Sequence, residues 1–429
     1  MISICRKSKY IILLIVFFKI QIGWSQEEVL SLDQCQKEVQ EFFPLMKGKE
    51  LLSKSSDLNT ENLKLAYLPK IYANGSLSYQ SDVTGISFPG MNTPKAPKDR
   101  YSLNLDVEQL IYDGGKTQDR IEVERKSSEV EIKNLEIQMY QLRERVNMAY
   151  FGILLVRKSK LVILDKQNTI IKRLQQLKSA VENGMVLPAN LKIMESELLL
   201  IEQQVLELNA HEESSFNVLS QLMGRSLSVN TKLEETEFDQ PSVNVNGLES
   251  KNRPEYQWYL SRQSLLDAQK ELLKKDRYPV VSAFGQMGYG NPGYNQLKDE
   301  FDTYYMLGAK ISWNIFDWKS NRRKQKVIGI QKDLLGTQEL SFTQNQLINL
   351  GEESSEIRKF EILLEKDDAI IGLQEEISRS SASQLDNGVI TSSDYLEDLN
   401  KEIQAKLNKE YHATQLQQSL AEFKRIKGI

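Results

Sequence analysis

Acid–base and metal chemistry in proteins most often starts from histidine, and this chain of 429 residues has two, His211 and His412. Both fall in polar, strongly helical surroundings, which predicts solvated helix residues rather than ligands or proton shuttles. Of the two cysteines, Cys5 lies in the N-terminal segment read below as a secretory signal and Cys35 is then alone, so no intrachain disulfide framework is expected. No Ser/His/Asp set is apparent, and Gly285, Gly288 and Gly290 lack the strand–turn–helix frame that a phosphate-cradling loop needs. The expectation is therefore a protein with no catalytic group, no metal and no cofactor. Nor does the charge suggest nucleic acid: 55 Lys and Arg stand against 59 Asp and Glu, a net charge of −4, where a nucleic-acid binder would want a basic stripe.

The N-terminus supports the same direction. Arg6, Lys7 and Lys9 precede an apolar run at 10–18, and Gly23-Trp24-Ser25 offers small residues to a signal peptidase, so 1–25 reads as a secretory signal. A membrane anchor, the alternative, would need a run of about 20 residues. Without its four basic residues the mature chain would carry about −8. No leucine-led box of small residues precedes Cys5, so a lipidated N-terminus is not expected.

What the sequence does contain is a duplication. Pro44 and Pro254, Pro69 and Pro279, and Tyr79 and Tyr289 all lie 210 residues apart. Beyond residue 100 the offset is 204, pairing Asp113 with Asp317, Asn183-Gly184 with Asn387-Gly388, and Gly224 with Gly428. A motif present twice sets the architecture before any local reading. Repeat 1 occupies 26–240 and repeat 2 occupies 241–429, with a connector from 225.

Each repeat reads as helix, strand, loop, strand, very long helix, turn, helix. In repeat 1 the helix spans 31–67 with a kink or break at Pro44, the strands 70–80 and 101–111, the long helix 113–182 and the return helix 188–223. In repeat 2 the corresponding spans are 253–277, 280–290, 304–315, 317–386 and 392–426. The strands alternate strictly: Tyr101, Leu103, Leu105 and Val107 share one face, and Ser102, Asn104, Asp106 and Glu108 the other. Strands of about ten residues with one greasy and one polar face match a transmembrane β-barrel, although a half-buried soluble sheet has the same pattern. In the long helix, Met139, Leu142, Val146, Ala149, Ile153 and Val156 follow steps of three and four, the heptad signature of coiled-coil packing. Nearly 70 residues of helix make a rod on the order of 100 Å long.

Asn183-Gly184 and Asn387-Gly388 suit left-handed helix C-caps, and Pro188 and Ser392-Ser393 suit helix restarts. Gly114 and Gly115 suit a bend between strand and helix. Tyr101, Tyr112, Tyr289, Trp313, Phe316 and Trp318 fall at strand ends, where an aromatic belt would sit; ordinary apolar packing would also account for them. A four-stranded sheet alone cannot lie in hydrocarbon, because its edges leave unpaired N–H and C=O groups. It must close with strands of other chains. Three copies would supply twelve strands, but the number three is not fixed by the sequence.

At this point the chain resembles the TolC-like outer-membrane efflux and secretion channel family over essentially all of its mature length. The matching landmarks are Leu30-Ser31-Leu32-Asp33-Gln34-Cys35, Leu110-Ile111-Tyr112-Asp113-Gly114-Gly115, Asn252-Arg253-Pro254-Glu255 and Asn314-Ile315-Phe316-Asp317-Trp318. The implied fold class is an internally duplicated α+β membrane protein. Four strands per chain enter a trimeric 12-stranded transmembrane β-barrel, and long coiled-coil helices form a periplasmic α-barrel tunnel. The resemblance implies a homotrimer in outer-membrane lipid, docked through its tips to a periplasmic adaptor (membrane fusion) protein and an inner-membrane pump of RND, ABC or MFS type. It implies a passive exit duct for efflux or type I secretion. The competing reading is a secreted coiled-coil scaffold or adhesin.

The resemblance also implies where the work is done. Counted from Gly388, the positions of the periplasmic gate are Asp394 and Glu397, whose i, i+3 spacing puts both carboxylates on one helix face. Asp394 could instead serve only to cap its helix. Asn190 stands at the matching place in repeat 1, and Ile390 and Leu385 occupy positions where the family carries an arginine and a tyrosine that lock the closed tip, so closure by apolar packing is the expectation. The tips around Asn183, Gly184, Asn387 and Gly388 would meet the adaptor, and the loops 81–100 and 291–304 would face the exterior.

Overall fold

Strict alternation over ten residues cannot be satisfied by a helix, and seventy residues without proline have no reason to leave one. The computed structural model of the chain follows that division. It describes residues 29–85, 90, 95–235 and 252–429. The signal segment 1–25 and the boundary between repeats at 240 lie outside the described residues, as does part of the loop 81–100.

Strand β1 (Val29–Leu30) leads into helices α1 (Leu32–Phe42) and α2 (Met46–Lys64) and a short 3₁₀ turn, Leu65–Tyr67. The span 31–67 is thus not one helix. The chain leaves the helix at Phe43, which is extended (φ −62°, ψ 133°) as a residue before proline prefers, and Pro44 restarts it. Ser31 opens α1 with a reciprocal capping box to Gln34. Strands β2 (Lys70–Tyr79) and β3 (Asp99–Tyr112) form a hairpin, followed by α3 (Lys116–Glu182) and α4 (Pro188–Met223). After strand β4 (Lys232–Leu233), repeat 2 contributes α5 (Pro254–Lys275), β5 (Val280–Asn291), β6 (Asp302–Ser312), α6 (Ser320–Asp386) and α7 (Ser392–Lys427). Strand β6 is shorter than 304–315 at its far end, which leaves Trp313 to Phe316 outside the sheet. Helices α3 and α6 each have 67 residues, and α4 and α7 each have 36. Among the described residues, no helix is long and apolar enough to cross a membrane.

The four long strands make one antiparallel sheet in the order β2-β3-β5-β6. Its register places Tyr72, Asp106, Gln286 and Met306 on one rung and Ala73, Leu105, Met287 and Tyr305 on the next. The faces differ as the alternation requires. On the apolar face Leu77 is 80% and Leu307 78% exposed. Both outer strands, β2 and β6, keep one edge unpaired within the chain.

Apolar clusters hold the rod together along its length. Near its middle Tyr150, Phe151, Ile153, Phe216 and Leu219 gather around Leu30 and Val39. There the Tyr150 hydroxyl lies 3.0 Å from the Leu30 carbonyl and 2.7 Å from that of Glu234, joining both strands of the small parallel ladder β1–β4 to α3. Leu350, Ile357, Leu420 and Phe423 join α6 to α7. Toward the far end, Ile163, Ile170, Leu177, Met194, Ile201, Tyr395 and Leu399 bring both repeats together.

The bend from sheet to rod is built differently in the two repeats. Asp113, 5% exposed, accepts hydrogen bonds from the Tyr67 hydroxyl (2.8 Å), the Gly115 N–H (3.0 Å) and the Thr117 N–H (2.7 Å), so it caps α3. Gly114 and Gly115 take φ of +68° and +83°. Asp317 caps α6 in the same way, accepting from the Asn321 N–H at 2.7 Å, but the residues that follow are Trp318 (φ +54°) and Lys319 (φ +63°). A Cβ at Gly114 would overlap Tyr278, whereas Trp318 is 77% exposed and meets no such wall. Glycine is thus required where the bend is packed and dispensable where it is open. Gly114→Ala should cost roughly 2 kcal/mol or more, from a left-handed alanine plus overpacking. Lys319→Gly should stay within about 0.5 kcal/mol of wild type, since relief of strain offsets the added freedom of the unfolded chain. Denaturant titration followed by circular dichroism in detergent would show the contrast, and equal effects would rule out this account.

Candidate functional site

The sequence points to the helix tips and the strand ends, and the sheet adds a polar face of its own. Among the described residues no group of three His, Cys, Asp or Glu side chains is placed to hold a metal ion.

The polar face of the sheet is organised by side-chain hydrogen bonds running across the strands. Asn74 and Gln286 donate to the two carboxylate oxygens of Asp106 at 2.6 and 2.7 Å. Tyr304 donates to Asn104 at 2.5 Å, and the Ser76 and Ser102 hydroxyls are 2.7 Å apart. The loop after β5 folds onto the outer end of this face: the Tyr294 hydroxyl meets the Met306 sulfur at 2.9 Å, the Tyr294 ring lies edge-on to Tyr304, and Gln296 accepts from Arg100. Its last residue, Phe301, crosses to the apolar face and packs on Tyr289 (5.4 Å) and Tyr101 (6.0 Å).

The six aromatic residues at the strand ends therefore divide into two groups. Tyr101 and Tyr289 lie at the loop end of the apolar face, while Tyr112, Trp313, Phe316 and Trp318 lie at the rod end, all exposed. Phe316 and Trp318 meet edge-on at 4.8 Å, and the Trp313 indole N–H donates to the Arg277 carbonyl at 2.9 Å. Tyr101 and Tyr112 are separated by roughly 36 Å along an untilted strand, or about 25 Å across a 45° tilt.

The two tips share one design. Gly184 and Gly388 both take φ of +70°, and Asn183 and Asn387 cap their own helices by donating to the Ser179 (2.9 Å) and Ser383 (2.8 Å) carbonyls. The restarts then diverge. In α7, Thr391 is the N-cap, one residue ahead of the Ser392-Ser393 pair, and forms a capping box with Asp394. The Asp394 carboxylate accepts from the Thr391 hydroxyl at 2.7 Å and the Thr391 N–H at 2.9 Å, and these bonds hold its carboxyl below the usual carboxylate range. Glu397 accepts from Lys401 at 2.7 Å, which raises the ammonium's pKa. Both carboxylates are exposed on one face of α7, opposite the buried Tyr395, Leu396 and Leu399. Capping and surface charge coexist in Asp394. Asn190, at the matching place in repeat 1, instead bonds across the repeats, its side-chain oxygen accepting from the N–H of the fully buried Ser392 at 3.2 Å.

A polar tie at the tip was not foreseen from the sequence. Arg173 of α3 pairs with Asp386 at the end of α6, and its guanidinium lies 5.4 Å from the ring centroid of Tyr395. Burial pushes the Tyr395 phenol up, with Arg173 opposing it. Leu385 and Ile390 pack at the edge of the apolar cluster beneath. Within the chain, Leu385 and Ile390 thus pack on apolar neighbours, and an arginine tie crosses from repeat 1 to repeat 2. The only signal for Arg173 was a long cation beside the heptad seam of Ile170 and Leu174.

One of the two histidines departs from the expectation. His211 is exposed, but His412 is not a solvated residue: its Nδ1 lies 2.6 Å from the buried Asp367 on α6, because the α6–α7 hairpin brings residues 45 apart into register.

No protein-family model and no curated protein sequence matches this chain. Solved structures do. The outer-membrane channel OprN aligns with a TM-score of 0.67 at 16% identity, over 92% of this chain and 89% of that one. The CmeC outer membrane channel of Campylobacter jejuni gives 0.65 at 13%, over 92% and 85%. The open state of the Neisseria gonorrhoeae MtrE outer membrane channel gives 0.63 at 15%, over 92% and 88%. The chain therefore has the TolC-like channel fold, the one its sequence landmarks resemble. The tip geometry gives a direct test. An Arg173→Ala, Tyr395→Ala double-mutant cycle should return a coupling of about 0.5–1 kcal/mol in denaturant midpoints at low salt, and strictly additive effects would show the tie to be energetically silent.

Proposed function

We propose that the chain is a passive outer-membrane channel-tunnel, the exit duct of a tripartite efflux pump or type I secretion system, closed at its periplasmic tip. In this reading three copies close a 12-stranded barrel in outer-membrane lipid and a helical tunnel below it. The tips dock a periplasmic adaptor that couples the duct to an inner-membrane pump. The fold shared with outer-membrane channels supports this, and one observation carries it: a four-stranded sheet with an exposed apolar face and two open edges, which hydrocarbon tolerates only when closed.

The duplication says how closure would run. Helix α5 packs against α3 inside the chain, with the Ser261 hydroxyl 3.5 Å from Glu129. Shifted by the repeat offsets, that contact becomes Leu51 of one copy beside Asp333 of another. Leu51 and Leu58 on α2, Leu65 in the 3₁₀ turn after it, and Ile330 and Leu334 on α6 are exposed apolar residues suited to such a seam. In the sheet, Leu105 opposes Met287, and the same shift sets Ala309 of β6 opposite Leu77 of β2 in the next copy. Cysteines at 309 and 77 should therefore link copies on oxidation, since directly opposed Cβ atoms lie about 5 Å apart. Cysteines at 309 and 78, on opposite faces, should not. Linkage of the second pair in preference to the first would refute this register.

Asp394 and Glu397, exposed on one face of α7, would ring the periplasmic aperture in three copies and attract cations. Purified protein in planar bilayers should conduct with a cation preference that falls in Asp394→Asn/Glu397→Gln. Asp394, with its carboxyl held below the usual range, should keep contributing as the pH falls to about 4, where an ordinary aspartate loses its charge. No conductance at all would sink the duct, and an unchanged preference would sink the acidic aperture alone.

A further inference from the structure

The tips are not the only place where a fixed charge faces the proposed lumen. Across the sheet, the polar-face rungs can be read one by one. The rung Asn74, Asn104, Gly288, Tyr304 carries no charge, and in the rung Lys70, Glu108, Phe284, Gly308 the two charges oppose each other directly, Lys70 across from Glu108. Between them lies Tyr72, Asp106, Gln286, Met306, whose single charge is Asp106. The residues directly opposed to it on the flanking strands, Tyr72 and Gln286, are neutral, and the remaining charges of this face, Arg100, Asp302 and Lys310, lie toward its two ends.

Asp106 is also held in place. Its two oxygens accept from the Asn74 and Gln286 amides at 2.6 and 2.7 Å, one donor from each flanking strand. Neutral donors fix the carboxylate without cancelling its charge, so it keeps its full electrostatic reach. Among the described residues no ion pair engages it. By contrast, Arg173, Glu212 and Asp367 elsewhere in the chain all have oppositely charged or histidine partners.

Resting on the duct reading above, we infer that Asp106 is a selectivity-determining residue of the barrel lumen, where its copies attract inorganic cations. The site lies midway along the sheet, far from the helix tips, so it acts in series with the acidic aperture and independently of it. A wide lumen makes its effect depend on ionic strength. The screening length is on the order of 30 Å at 10 mM salt and about 3 Å at 1 M, so the carboxylates govern the lumen in dilute salt and are screened from it in concentrated salt.

The test is the reversal potential in potassium chloride gradients, measured on oligomers that run as folded species on unheated gels. The Asp394→Asn/Glu397→Gln protein serves as the background, so that the tip contributes nothing. At about 10 mM salt this background should retain a cation preference that Asp106→Asn abolishes and Asp106→Glu preserves, while near 1 M salt the three proteins should coincide. Glu108→Gln, facing Lys70, should move the preference less than Asp106→Asn does. An Asp106→Asn reversal potential equal to that of the background at low salt overturns the inference. The absence of any conducting oligomer from the unmutated chain would instead overturn the duct itself.

Discussion

An unpaired strand edge is a row of amides and carbonyls that require partners, and this chain leaves two such edges on one sheet. Much else in the molecule is arranged around that incompleteness. Exposed apolar residues on β2 and β6 adjoin the open edges, and exposed leucines on α2 and α6 flank the sides of the rod below them. Within the chain the same surfaces have been satisfied once already, where β3 meets β5 and α3 meets α5. The duplicated chain thus contains one finished seam, while β2 and β6 keep the repeat-related edges unpaired within the chain.

Duplication does not mean identity, and the departures follow contact. At the bend, Gly114 is packed against Tyr278, while its counterpart Trp318 projects into solvent. At the tips, Asn190 caps the helix of the other repeat, while Asp394 caps its own and leaves a charge at the surface. Arg173 ties the repeats together, yet the repeat offset would replace it with Ile377 at a seam between copies, where no such ion pair could form. Positions that meet a neighbour within the chain have diverged from those that do not.

Elements fixed by periodicity were legible in the sequence. The strands were readable from alternation at Tyr101, Leu103, Leu105 and Val107, and the long helices from the spacing of Val146, Ala149 and Ile153. Features fixed by a single contact were not. The ladder of Val29–Leu30 with Lys232–Leu233 is too short to have a period and depends on the Tyr150 hydroxyl. Trp318 and Lys319 adopt a left-handed conformation that their side chains do not advertise. The Arg173 tie and the His412–Asp367 pair join residues whose registers are set only once the helices have packed. Asp106 was seen as one polar residue in an alternation; its neutral cross-strand partners, Tyr72 and Gln286, depend on strand order.

The equality of α3 with α6 and of α4 with α7 limits how such a rod can change length. One extra residue in a single helix would turn everything beyond it by about 100° and carry its apolar stripe off the seam, and three or four would locally overwind or unwind the pair. Only whole heptads, added to all four helices at the same level, leave each seam facing its partner. The length of the rod is therefore adjustable only in steps of about 10 Å, seven residues at a time.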